Sequence, residues 1–143
     1  MKTIVVDASV AIKWFIPEIH AIDASRLLQK KLRFIAPDLI FSEVGNILWK
    51  KNRSKELTLE IATEILNDFK KLPIDSHESE PLLDAAWQIA TAYQCTVYDS
   101  LYVALAKIEK CVLVTADQAL HHALKTTPLA RTLLWIEDIK NIA

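Results

Sequence analysis

The feature of this sequence that most restricts its fold is its single glycine, Gly45, in a chain with five prolines. Two-residue hairpin turns depend on glycine, because their central residues adopt positive φ angles. A hairpin-rich all-β fold is therefore disfavoured, and helices are favoured. The same shortage leaves no flexible linker and no glycine-rich loop that could cradle a phosphate.

Short apolar runs rich in β-branched residues alternate with longer amphipathic segments. The short runs predict buried parallel strands. They lie at residues 2–6, 34–36, 111–115 and 131–136, with a further stub at 74–75. The longer segments repeat apolar residues every three or four positions, which predicts helices. They lie at residues 20–31, 39–51, 57–72, 78–93, 98–110 and 117–124, and a shorter helix follows Asp7.

This alternation, with almost no hairpin signal, predicts an α/β fold. We expect a small parallel β-sheet of four or five strands flanked by helices on both faces. With 143 residues, of which 52% are hydrophobic and 24% charged, the chain is expected to form one globular domain over residues 1–143.

Composition also restricts the function. The formal net charge of −1 gives no broad basic surface, so a nucleic acid would be held by a local patch or through metal ions. The sequence contains no apolar window of about 18 residues, so no membrane span is predicted. We expect Cys95 and Cys111 to be reduced thiols and the protein to be cytoplasmic.

Three aspartates stand at the ends of predicted elements. Asp7 follows the first strand, Asp117 follows the strand at 111–115, and Asp99 lies at the start of the helix at 98–110. Ligands of open α/β sheets bind at the carboxyl ends of the strands. Each aspartate could equally be an ordinary helix cap, so the interpretation depends on whether they converge.

Glu43 is out of place on its predicted helix. At about 100° per residue it falls next to Ile40 and Ile47, inside the apolar arc. A buried glutamate needs a partner, which we expect to be a lysine, an arginine or a metal ion. Asn46 follows one turn later on the same flank.

Four converging carboxylates would repel one another, and a divalent cation would relieve that repulsion. Carboxylate oxygens suit Mg²⁺ or Mn²⁺, which could activate a water molecule against a phosphodiester. Zinc chemistry is less consistent with the chain, because its histidines lack zinc-ligand spacing and are expected at the surface. They are His20, His77, His121 and His122.

Four motifs occur in an order and spacing that cover nearly the whole chain. They are Val-Val-Asp-Ala-Ser at 5–9, Ser-Glu-Val-Gly-Asn-Ile-Leu at 42–48, Tyr-Asp-Ser-Leu-Tyr-Val-Ala-Leu-Ala at 98–106, and Val-Thr-Ala-Asp at 114–117. Together they resemble the PIN-domain family, and more narrowly the VapC-type ribonuclease toxins of prokaryotic toxin–antitoxin pairs.

The resemblance implies a Mg²⁺-dependent endoribonuclease, with Mn²⁺ as a substitute, that is inhibited by a cognate antitoxin and forms a homodimer. It assigns the acidic metal site to Asp7, Glu43, Asp99 and Asp117. It assigns supporting roles toward water or backbone to Ser9, Asn46, Ser100 and Thr115. RNA is the implied substrate.

Two other functions stay open on the sequence: an RNA-processing PIN nuclease that is not a toxin, and a catalytically inactive PIN-like binding module. The presence of all four acids favours an enzyme over the inactive module. Trp14 and Trp49 lie near helix ends, and we expect one or both to be partly exposed. Exposed aromatic residues are enriched at interfaces, which together with the resemblance favours a two-fold homodimer.

Overall fold

The computed structural model describes residues 1–142, with the backbone alone for Asn141. Its centre is a five-stranded sheet in which every neighbouring pair of strands is parallel. The strands are β1 (Lys2–Val6), β2 (Leu32–Pro37), β3 (Ile74–His77), β4 (Val112–Thr115) and β5 (Leu133–Trp135). The predicted α/β fold with a small parallel sheet is confirmed.

Seven α-helices connect the strands within the described residues. They are α1 (Ala8–Ala11), α2 (Ala21–Leu28), α3 (Leu39–Arg53), α4 (Leu59–Lys70), α5 (Leu83–Tyr93), α6 (Val97–Ile108) and α7 (Gln118–Leu124). Short 3₁₀ helices occupy Ile12–Trp14, Glu80–Leu82, Pro128–Thr132 and Ile136–Asn141. No helix in this part of the chain is long and apolar enough to cross a membrane.

The order of the strands places a crevice at the carboxyl end of β1. In the order β3-β2-β1-β4-β5, the chain first builds outward from β1 through β2 to β3. It then returns to place β4 on the other side of β1, where Val5 is paired with both Ile35 and Leu113. Right-handed crossovers in opposite directions lie on opposite faces of a sheet, and their connections separate at this reversal point.

Helix α6 lies at the centre of the core. Its residues from Ser100 to Ala106 are all buried, because α6 packs against β1, β2 and β4 on one side and against α5 on another. Trp14 is part of the interior as well, since its indole N–H donates to the Ala24 carbonyl at 2.8 Å. Trp49 is 54% exposed, as predicted for at least one of these two tryptophans.

The predicted start of α6 needs correction. Thr96, and not Asp99, caps this helix: the Thr96 hydroxyl accepts a hydrogen bond from the Asp99 backbone N–H at 3.0 Å. Asp99 is therefore the third residue of the helix and not its cap. The predicted helix at 78–93 is also divided, since a 3₁₀ turn containing Pro81 precedes α5 and a proline removes a backbone donor.

The last described residues of the chain contribute to the core. Ile136, Ile139 and Ile142 are buried, and their spacing of three matches the period of the 3₁₀ helix on which the first two lie. Most of the histidines also lie deeper than expected, because only His122 of the four is fully exposed. Cys95 and Cys111 are free thiols and half-buried.

Candidate active site

An open pocket of about 460 Å³ lies at the carboxyl edge of the sheet. All four predicted acids line it: Asp7, Glu43, Asp99 and Asp117. Asp7 follows β1, Asp117 follows β4, Glu43 projects from α3, and Asp99 projects from the first turn of α6. Four separate elements thus bring their carboxylates to one concavity.

Asp7 is the most deeply held of the four, with 5% of its surface exposed. One carboxylate oxygen accepts from the Ser9 hydroxyl at 2.5 Å and from the Val10 backbone N–H at 3.1 Å. The other accepts from the Thr115 hydroxyl at 2.6 Å. Asp7 therefore caps α1 and binds to β4 at the same time.

The Ser9 and Thr115 hydroxyl groups that donate to Asp7 also accept hydrogen bonds from the backbone after β4. The Ser9 oxygen accepts from the Ala116 backbone N–H at 3.1 Å, and the Thr115 oxygen accepts from the Asp117 backbone N–H at 3.0 Å. Asp117 in turn caps α7 by accepting from the Leu120 N–H at 3.1 Å. The positions of Asp7 and Asp117 are coupled through these bonds.

Glu43 has a partner that the sequence analysis missed. The Tyr102 hydroxyl donates to the Glu43 carboxylate at 2.6 Å and joins α6 to α3. Burial and the negative charge of Glu43 raise the pKa of Tyr102 far above its usual range, so the tyrosine stays a neutral donor. Tyr102 lies three residues after Asp99, and this spacing on one helix face was the available signal.

The shifts in pKa show that the acids interact electrostatically with one another. Burial raises the pKa of Asp7 to about 6, its three hydrogen bonds oppose that rise, and the charge of Asp117 adds to it. Burial also raises the pKa of Asp99, and the charges of Asp117 and Glu43 add to the effect. The carboxylates are close enough to disfavour the fully ionised state.

The donor set suits a hard divalent cation. Among the described residues, none of the four acids forms an ion pair with a lysine or an arginine. Across residues 1–142, however, no three acidic, histidine or cysteine side chains form a cluster that could hold a metal ion by themselves. A Mg²⁺ ion on a few carboxylates completes its ligands with water. Metal binding stays a prediction.

The predicted supporting residues lie in different surroundings. Ser9 and Asn46 line the pocket, and Thr115 lies directly behind Asp7. Ser100 does not line it: its hydroxyl is fully buried and has no hydrogen-bond partner within the described structure. Nothing in its contacts supports the expected role toward water or backbone.

The fold and the pocket define an α/β protein with an acidic site at the reversal point of a parallel sheet. The family model described as PIN domain matches residues 4–125. This match covers most of the chain, which therefore belongs to the PIN-domain family.

Curated relatives and solved structures agree with this membership. "Ribonuclease VapC3" of Pyrobaculum aerophilum is 36% identical over 121 residues, which are 82% of this chain and 91% of the relative. "Ribonuclease VapC3" of Mycobacterium tuberculosis is 29% identical over 85% of this chain and 88% of its own. The crystal structure of PAE2754 from Pyrobaculum aerophilum is 26% identical with a TM-score of 0.69, covering 95% of this chain and 85% of that one.

The buried charge of Asp7 predicts how stability changes with pH in metal-free protein. Because its pKa is raised from 3.8 to about 6 on folding, the unfolded chain releases this proton first as the pH rises. The wild type should therefore lose stability relative to Asp7→Asn between pH 4 and 7, by about 3 kcal/mol. Urea unfolding in EDTA across that range measures the difference.

The exposed Asp84 of α5 supplies a matched control. Over the same pH range, the stability difference between Asp84→Asn and wild type should change much less than that of Asp7→Asn. A pH-independent difference for Asp7→Asn would contradict the raised pKa, whatever its absolute size.

Proposed function

We propose that this protein is a Mg²⁺-dependent endoribonuclease that acts as the toxin of a type II toxin–antitoxin pair. The observation that carries the proposal is the convergence of four carboxylates from four separate elements on one open pocket. The curated relatives that match most of the chain bear the name ribonuclease VapC, which supports RNA as the substrate.

Asp7, Glu43, Asp99 and Asp117 are the residues that would hold Mg²⁺, with Mn²⁺ as a substitute. When bound, the ion supplies positive charge that activates water and stabilises a leaving phosphodiester oxygen. The pocket is open to solvent, so a backbone phosphate of RNA can reach its acidic floor.

The chain's own hydrogen bonds orient these acids. Ser9 and Thr115 donate to the two oxygens of Asp7, and Tyr102 donates to Glu43. Hydroxyl donors fix the direction of a carboxylate without adding positive charge. Partners of this kind around metal ligands commonly change affinity or activity by about 10- to 100-fold when they are removed.

An acidic pocket is also suited to inhibition by a protein partner. An arginine of an antitoxin could pair with two carboxylate oxygens and so compete with the cation. The exposed Trp49 and Phe41 on α3 supply apolar surface for an interface, which supports a homodimer or a second contact. We place the protein in the cytoplasm, together with its RNA substrate and antitoxin.

Catalysis should require the acids. Asp99→Asn keeps the shape of the side chain and removes its charge, so RNA cleavage should be abolished while the circular dichroism spectrum is retained. Asp84→Asn, an exposed change of the same chemistry on α5, should cleave at the wild-type rate. Wild-type cleavage by purified Asp99→Asn would refute the site assignment.

Cleavage should require a divalent cation. Mg²⁺ or Mn²⁺ should support it, and excess EDTA should stop it. The cation should also raise the melting temperature of the wild type, because it binds the folded state and relieves carboxylate repulsion there. This rise should be smaller in Asp99→Asn, as measured by calorimetry. Full activity in EDTA would point to a metal-free mechanism.

The toxin role predicts a dimer and a specific inhibitor. Light scattering should give twice the chain mass at micromolar concentration, and adding the protein encoded by the neighbouring gene should stop cleavage. A monomer would refute the dimer. A neighbouring protein that neither binds nor inhibits would remove the toxin role and leave a PIN nuclease.

A further inference from the structure

Among residues 1–142, the cation that lines the acidic pocket is Lys50, an exposed residue near the end of α3. Other lysines nearby are engaged, since Lys13 lies 2.9 Å and Lys51 3.5 Å from Glu18. Lys50 forms no ion pair within the described residues, although four carboxylates line the same pocket. Its position in the last turn suits the helix dipole, which explains a cation there but not its place in the pocket wall.

A second hollow adjoins the pocket at Ile47 and Lys50. Lys50 lies seven residues beyond Glu43, which is about 10 Å along the helix axis. This second hollow has a volume of about 360 Å³, and its other lining residues are Ser54 and the ion pair of Lys51 with Glu56. Because the two hollows share Ile47 and Lys50, an extended ligand that lies over the acids can continue along α3 toward Lys50.

The other wall of the pocket carries an exposed aromatic ring. Tyr98 lines the pocket, is 62% exposed and directly precedes Asp99 in α6. It lies one turn before the buried Tyr102. A large ring at the mouth of a polar pocket gains little from folding, and its faces are available to a ligand.

We propose that Tyr98 and Lys50 bind single-stranded RNA on the two walls beside the acids. Tyr98 stacks on an unpaired base, and Lys50 pairs with a backbone phosphate further along α3. This inference rests on the proposed ribonuclease function and names two residues outside the acidic cluster that bind its substrate. Stacking on an aromatic side chain requires a base that is free of its own helix, so double-stranded RNA should be a poor substrate.

The charge of the pocket explains why such contacts are needed. Four acids repel a polyanion, and the net charge of −1 supplies no general attraction. The side chains of Lys50 and Tyr98 provide attraction at defined points, one on α3 and one on α6. Each phosphate that a lysine neutralises in single-stranded nucleic acid adds about 0.7 to the salt dependence of binding.

The test for Lys50 compares Lys50→Gln with Lys70→Gln, which removes the same charge from the last turn of α4, away from the pocket. The substrate is a mixed-sequence single-stranded 12-mer RNA with a fluorophore and a quencher, in Mg²⁺. Lys50→Gln should raise KM about three- to tenfold with kcat within twofold. It should also flatten the slope of log(kcat/KM) against log salt by about 0.7. Lys70→Gln should match wild type.

The test for Tyr98 uses a conservative variant and an exposed aromatic elsewhere. Tyr98→Ala should raise KM about tenfold or more, whereas Tyr98→Phe, which keeps the ring, should stay within twofold of wild type. Trp87→Ala on α5, outside the pocket, should also match wild type. A hairpin duplex of the same sequence should be cleaved at least about tenfold more slowly than the single strand.

Binding separates this inference from the nuclease proposal. Fluorescence anisotropy of the labelled 12-mer is measured in Mg²⁺ with Asp99→Asn protein, which should not cleave it. Double variants that also carry Lys50→Gln or Tyr98→Ala should bind the RNA more weakly than Asp99→Asn alone. If RNA binding depends on Lys50 and Tyr98 but the wild type cleaves no RNA, the inferred RNA-binding role of these residues stands and the ribonuclease proposal fails. The inferred RNA-binding role is refuted if Lys50→Gln behaves like Lys70→Gln, if Tyr98→Ala behaves like wild type, or if the protein prefers the RNA duplex to the single strand.

Discussion

The buried carboxylate of Asp7 is the group on which the rest of the site depends. It lies where β1 ends, at the point where the order of strand addition reverses, and it accepts three hydrogen bonds. Those bonds do not fully offset its burial, because the pKa of Asp7 remains raised to about 6. The same hydroxyls that donate to it hold the backbone of Ala116 and Asp117, so the segment after β4 takes its position from this one side chain.

The partners of the acids are neutral, and this has a consequence for what the pocket can bind. Ser9 and Thr115 orient Asp7, and Tyr102 orients Glu43, without cancelling any negative charge. A lysine or arginine in their place would stabilise the apo protein and occupy the site. The pocket therefore keeps uncompensated charge at a cost in stability, a common trade at functional sites.

Helices α3 and α6 turn the acidic cluster into an extended surface. Tyr102 ties the two helices together through Glu43, and their exposed residues then form opposite walls. On α3 the wall continues from Glu43 to Lys50, while on α6 Tyr98 stands one turn before Tyr102. The charge of Lys50 and the ring of Tyr98 lie on these walls, outside the acidic cluster, and are the contacts proposed for RNA.

Local patterns in the sequence determined the α/β class, the approximate positions of its strands and helices, and the placement of Asp7 and Asp117 after strands, because periodicity and β-branched runs act over a few residues. Only the tertiary structure decided that Tyr102, 59 residues away, is the partner of Glu43, and that the Ser100 hydroxyl has no partner among the described residues. Such pairings depend on how the crossovers bring α3 and α6 to the same pocket, and a contact between distant segments leaves no local periodic signal.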